Sequence, residues 1–209
     1  MTRRPPDSRT VPFGSLTIRY DDRVLAPREW TQTQALWAND LLAVVPPGPV
    51  LELCSGVGHL GLLAVHGTDR RLVCVDVDPV ACAYAVDNAA AAGRAELVDV
   101  RNVSLSEFRS DEVFALVVAD PPWVRTDLVG CFPADPVLAI DGGTDGLDRA
   151  RECVRLIDRH LHPEGAALLQ LGSYAEAEAL AAELPGTLSV ASSRAEPGRG
   201  LVVRLLRPQ

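Results

Sequence analysis

The stretch Val50-Leu-Glu-Leu-Cys-Ser-Gly-Val-Gly-His-Leu-Gly61 constrains this chain more than any other. A short apolar run ends in a small, polar, glycine-bearing turn. A helical apolar pattern then follows through Leu60, Leu62, Leu63 and Val65. That is strand, tight loop, helix, with Gly56, Gly58 and Gly61 at the G-x-G-x-x-G spacing. Gly56 and Gly58 suit a turn that needs positive φ and close backbone approach to a ligand, and Gly61 suits close packing of helix on strand. Taken alone, the same spacing also fits a flexible loop opening a helix.

Glu52 narrows the choice. A dinucleotide's pyrophosphate is anionic and takes bare backbone N–H groups at a helix N-terminus, so an acid ahead of the glycines repels it. S-adenosylmethionine (SAM) is cationic at sulfur and carries an ammonium, so the same carboxylate attracts it. The arrangement E-x-x-x-G-x-G resembles the first motif of class I SAM-dependent methyltransferases. The resemblance implies SAM as cofactor and S-adenosylhomocysteine (SAH) as product, with Glu52, Gly56 and Gly58 on the cofactor side.

The chain has 209 residues, 47 % of them hydrophobic, which suits one domain with a substantial core. No apolar run reaches the length of a membrane span and the first residues lack a signal-peptide pattern, so a cytoplasmic location is expected. All twenty basic residues are Arg, which excludes lysine chemistry. Net charge is −8, which argues against a nucleic-acid partner. Cys54, Cys74, Cys82, Cys131 and Cys153 lie far apart and match neither a zinc pattern nor a disulfide framework, so buried reduced thiols are expected. Nothing in the chain signals an oligomeric state.

Residues 1–12 are rich in Pro, Arg and Ser and read as a flexible arm. Leu16–Tyr20, a turn at Asp21-Asp22, and Val24-Leu25 suggest a hairpin. Residues 1–23 are therefore assigned to the arm and the start of that hairpin, and 24–209 to the main domain. Thr31 is placed to cap a helix running to Val45. Strands are expected at 50–53, 71–76, 95–100, 113–119 and 166–171. Helices are expected at 79–92, 146–161 and 174–184, with a loop over 124–143. Alternating strands and helices argue a doubly wound α/β fold with a mostly parallel sheet. The last strands, 188–191 and 201–206, are joined by Pro197-Gly-Arg-Gly200, too short for a crossover helix, so the last strand runs antiparallel.

In such sheets ligands sit beyond the carboxyl ends of the strands, where Glu52, Asp76, Asn102 and Asp120 all fall. Asp76 follows Gly58 by eighteen residues, which suits a carboxylate accepting both ribose hydroxyls. Asp78, ahead of Pro79, is the better helix cap. Asn102 and Val103 are candidates to meet adenine, with Asp99 as the competing acid.

Asp120-Pro121-Pro122-Trp123 resembles the (D/N)-P-P-(Y/F/W) loop of amino-group methyltransferases. An exocyclic amine or amide nitrogen has a delocalised lone pair and is a poor nucleophile. A carboxylate and a proline-loop carbonyl that accept its two hydrogens hold it in line and return density to nitrogen. Consecutive prolines stiffen the loop, and Trp123 offers a face for stacking on a planar acceptor. No metal is implied, because a sulfonium leaving group needs no Lewis acid.

Two further segments are similar to the HemK-type glutamine methyltransferases of release factors. Val24-Leu-Ala-Pro27-Arg28-Glu-Trp-Thr31 resembles their V-L-x-P-R-x-x-T segment, which places Arg28 and Thr31 on the substrate side. Ala139-Ile-Asp-Gly142-Gly143-Thr-Asp145-Gly146-Leu147 resembles their G-G-x-D-G-L segment. The chain departs from them at Asp120 and Trp123, where the family loop is N-P-P-Y, and at Glu29-Trp30. Their helical recognition domain also finds no counterpart before Val24. The expected function is SAM-dependent methyl transfer to an amide or amino nitrogen of a small molecule or exposed protein segment. The alternatives are a nucleic-acid base N-methyltransferase and a non-catalytic SAM-binding module.

Overall fold

The computed structural model describes residues 8–195 and 198–208. In chain order the elements are β1 (Arg9–Phe13), β2 (Leu16–Tyr20), α1 (Gln32–Leu41), β3 (Val50–Leu53), α2 (His59–Ala64) and β4 (Leu72–Asp76). Next come α3 (Pro79–Ala91), β5 (Val98–Asn102), β6 (Phe114–Ala119), β7 (Val124–Arg125), α4 (Val137–Ile140) and β8 (Asp141–Gly143). The chain closes with α5 (Asp148–His160), β9 (Leu161–Leu171), α6 (Tyr174–Glu183), β10 (Ser189–Ala195) and β11 (Leu201–Leu206).

Seven strands form the main sheet in the order β10-β11-β9-β6-β3-β4-β5. β3 pairs in parallel with both β4 and β6, whereas β11 is antiparallel to β9 and to β10. Only β11 is therefore reversed, as the short connection before it requires. The chain starts in the middle of this sheet and winds outward both ways, and the reversal of direction at β3 and β6 leaves a crevice between their ends.

Burial explains why these segments are strands. Every residue of β3 and β6 is buried, as expected of central strands covered on both faces. Successive side chains alternate between two cores. Val50 faces the core built by β1, β2, α1, α2 and α3, while Leu51 and Leu53 face the one built by α5 and α6.

Several expectations change. The hairpin lies between β1 and β2, turning at Gly14-Ser15, so residues 9–12 are strand, not arm; residues 1–7 lie outside the described set. Phe13 and Ile18 draw it onto the core, each 1 % exposed. Thr31 does not cap α1. It ends a 3-10 turn over Glu29–Thr31, with its hydroxyl donating to the Arg28 carbonyl at 2.8 Å, and α1 ends at Leu41. Residues 95–97 form a 3-10 turn ahead of β5. The expected loop over 124–143 contains β7, α4 and β8. Asp145 accepts from the Leu147 N–H at 3.0 Å, one turn ahead of α5. Cys131 is exposed, unlike the other cysteines. Pro197 lies outside the described residues.

Candidate active site

A cavity of about 570 Å³ opens over the ends of β3, β4, β5 and β6. Its floor carries Cys54, Gly56, Asp76, Val103 and Asp120. Its walls include Val24–Ala26, Arg28 and Thr31 on one side and the segment Pro136–Ala139 with Arg149 and Glu152 on another.

The loop after β3 turns through three left-handed residues, Cys54 (φ 55), Gly56 (φ 51) and Gly58 (φ 78). Among the described residues Cys54 is the one non-glycine at positive φ, a conformation that costs about 1 kcal/mol or more. A Cβ on Gly56 would meet nothing within 4 Å, so that position is open and its demand is conformational. The turn brings the Gly56 N–H to Asp76 Oδ2 at 2.7 Å, while Asp76 Oδ1 takes the Asp78 N–H at 2.9 Å. Asp76 is thus oriented at the cavity floor, and burial raises its pKa. Asp78 caps α3 through the Val80 N–H at 2.8 Å, as the sequence suggests.

Glu52 lies beneath the loop, 1 % exposed, and is not part of the cavity wall. Alternation along β3 turns it toward α2, where Gly61 leaves room: a Cβ there would collide with Glu52 Oε2. Oε2 accepts from the Cys74 thiol at 3.3 Å, while Oε1 is buried with no partner among the described residues. Burial pushes its pKa to about 8. Glu52 thus sits behind the glycine turn, where burial favours its protonated form.

Asp120 does line the cavity, and no described residue donates a hydrogen bond to its carboxylate. Burial alone raises its pKa to about 7. Pro122 also lines the cavity, and Pro121 is buried beside it. Trp123 does not line it. Its indole lies against Gly172 at the end of β9, where a Cβ would collide with Cε3, and the Gly172 N–H is held by Glu176 at 2.7 Å. The G-G-x-D-G-L segment is the other half of this support. β8 pairs with β7 directly after the acceptor loop, and a Cβ on Gly142 would stand 2.8 Å from both the Pro122 carbonyl and Trp123 Cα.

Asn102 sits at the end of β5, but its amide donates to the Asp76 and Val77 carbonyls at 3.1 and 2.9 Å. That ties two strand ends together, and the cavity wall at this point is Val103–Ser106. Asp99 is paired with Arg101 at 2.8 Å, away from the wall. Arg28 and Thr31 both line the cavity, Arg28 with its guanidinium on Asp135 at 2.6 Å. The β1–β2 hairpin is tied to α3 and the glycine turn by Asn88, which bonds Arg19 on both backbone atoms at 2.8 and 3.1 Å and the Val57 carbonyl at 3.0 Å. The sequence reading missed Cys54 and His59 as cavity residues. Their place within the glycine loop and directly after it was the available signal.

No protein-family model matches the chain. It is 29 % identical to a ribosomal protein uL3 glutamine methyltransferase of Neisseria gonorrhoeae, over 94 % of this chain and 67 % of that protein. It is 35 % identical to the release factor glutamine methyltransferase of Deinococcus radiodurans, over 83 % of this chain and 63 % of that one. Among solved structures it superposes on a ribosomal protein L11 methylase from Lactobacillus delbrueckii subsp. bulgaricus with a TM-score of 0.64 at 19 % identity, covering 90 % and 84 % of the two chains. The fold is that of a class I methyltransferase. The sequence relatives of this methyltransferase-fold chain are HemK-type glutamine methyltransferases, and it spans 40 to 67 % of the length of the first of them. No described helix is long and apolar enough to cross a membrane.

Proposed function

We propose that the chain binds SAM and transfers its methyl group to the side-chain nitrogen of a glutamine on an exposed protein segment. The observation that carries this is Asp120: a carboxylate in the cavity without a donor among the described residues, on a stiff proline loop, beside the Asp76 and glycine-turn floor.

The residues fit SAM. Asp76 is positioned to accept from ribose hydroxyls, Val103 and the segment after it offer a wall for adenine, and Gly56 leaves the floor bare. Bound there, SAM supplies a methyl group on a cationic sulfur. Asp120 Oδ accepts one N–H of the acceptor amide and the Pro121 carbonyl accepts the other, which holds the nitrogen in line and raises its electron density. A carboxyl with a pKa near neutrality is also suited to take the proton that nitrogen sheds. The Gly172 and Gly142 contacts keep the loop from yielding as the acceptor enters.

A protein segment is favoured because the cavity wall continues outward as exposed apolar residues. Val137 and Leu138 line the cavity and are 58 % and 60 % exposed, and the same stretch of chain exposes Leu128 and Phe132. The uL3 and release-factor enzymes named above are glutamine methyltransferases of protein substrates. Incubating the protein with methyl-labelled SAM and a cell extract tests the reading. A labelled polypeptide is expected, and label confined to nucleic acid or absent from every fraction would overturn it.

A further inference from the structure

His59 is the first residue of α2, one step beyond the glycine turn, and it is among the residues that line the cavity. No described residue forms a hydrogen bond with either ring nitrogen, and Nδ1 is buried without a partner. The ring is positioned by an edge-to-face contact with Phe13, centroids 4.8 Å apart. An unpaired buried polar atom is costly, and no contact among the described residues offsets that here.

The proposed cofactor supplies a reason, and the role of His59 rests on that proposal. A sulfonium carries three substituents. The methyl group must face Asp120 and Pro122, and the ribosyl group must run toward Asp76 and the wall at Val103. The amino-acid arm is left with the remaining sector, where Val24, Leu25, Ala26, Leu60 and His59 line the cavity. Arg28 and Thr31 border this sector, with Arg28 Nη2 held by Asp135 and the Thr31 hydroxyl donating to the Arg28 carbonyl. Of these three polar side chains His59 is the one that makes no hydrogen bond to any described residue. We infer that His59 is a specificity-determining residue that hydrogen-bonds the α-amino-acid end of SAM and SAH. Burial holds the ring neutral, with its pKa lowered to about 4. A neutral imidazole offers one N–H and one lone pair, and an amino-acid terminus offers an acceptor carboxylate and a donor ammonium, so either tautomer finds a partner.

Calorimetry with two ligands decides it. SAH carries the amino-acid arm, whereas 5′-methylthioadenosine keeps the adenosine thioether and lacks it. His59→Ala should weaken SAH about tenfold and leave 5′-methylthioadenosine within about twofold, and His59→Gln should recover part of the loss. Equal weakening of both ligands, or of neither, would overturn the role of His59. Wild type that binds neither ligand would instead overturn the SAM reading itself. A second measurement needs no variant: the ring 15N signals of His59 in wild type should move with SAH and stay still with 5′-methylthioadenosine. The same movement with both, or none with SAH, sinks the assignment.

Discussion

A side chain on Gly142 would run into the Pro122 carbonyl, 2.8 Å from where its Cβ would stand, and into the Gly146 carbonyl at 2.6 Å. These neighbours are backbone, so neither can rotate away. Gly142→Ala should therefore push on the acceptor loop. The expected cost is about 1–3 kcal/mol of stability, as for other overpacked sites, with methyl transfer reduced and SAH affinity preserved. Thermal melts and calorimetry on the same preparation would show it, and a variant with wild-type turnover would mean that the glycine pair does not brace the loop.

Asp120→Ala should lose roughly a hundredfold in turnover, the scale for removing one oriented catalytic contact. SAH binding should survive. Asp120→Asn should be milder, because one acceptor oxygen remains. Trp123→Ala should lower turnover by displacing the loop it braces through Gly172, and Gly172→Ala should do the same from the opposite side. Wild-type rates in Asp120→Ala would make the loop a structural turn.

Asp76→Ala removes a ribose acceptor and also the partner of the Gly56 and Asp78 N–H groups. SAM affinity should fall by roughly 2–3 kcal/mol, about thirty- to a hundredfold. Because the turn itself loosens, stability should drop as well. An unchanged dissociation constant would remove Asp76 from the cofactor site.

The unliganded protein should lose stability as pH rises from about 6.5 to about 8, above the range in which the depressed His59 pKa contributes the opposite slope. Glu52 and Asp120 are raised from 4.5 and 3.8 to about 8 and about 7. Each holds its proton more tightly folded than unfolded, so the native state binds more protons through that window. The stabilisation is full below the unfolded pKa and gone above the folded one. Glu52→Gln keeps the shape without the titration. It should flatten the profile and raise Tm at pH 8 by about 4 °C. A wild-type Tm that climbs steadily over the same range would contradict both assignments.

Cation binding should reverse that preference. A sulfonium entering beside Asp76 and Asp120 favours their charged forms, so SAM should bind more tightly as pH rises from about 6 to about 8. SAH, without the sulfonium charge, should show a shallower dependence. Parallel titrations in one buffer series compare them, and identical slopes would argue that the acids do not sense the sulfur.

The doubly wound sheet and its reversed last strand were legible in the sequence, because β3, β4 and β6 read as continuous apolar runs and the final connection is too short to cross over. Asp76 and Asp120 were legible for the same reason: strand ends are easy to locate, and acids there stand out. Glu52 was read from its charge, and charge in sequence does not reveal which side of a strand a residue takes or what burial does to its proton. Asn102 was placed at the correct strand end, yet its amide is engaged by neighbouring carbonyls that only the fold brings near. The hairpin was misplaced because Gly14-Ser15 is a quieter turn signal than Asp21-Asp22. The latter pair serves otherwise: Asp21 takes the Tyr84 hydroxyl at 2.7 Å and the Arg23 guanidinium at 2.6 Å.

The sheet order also sets a schedule for synthesis. β11 lies between β9 and β10 although it comes after both in the chain. When β10 leaves the ribosome, its place in the sheet does not yet exist, and β9 shows an unpaired edge. An unpaired edge is a template for joining another chain. A nascent chain stalled before β11 would keep the strands of the cavity floor and still be exposed to that association. The last strand to be made is thus the one that covers the edge of β9.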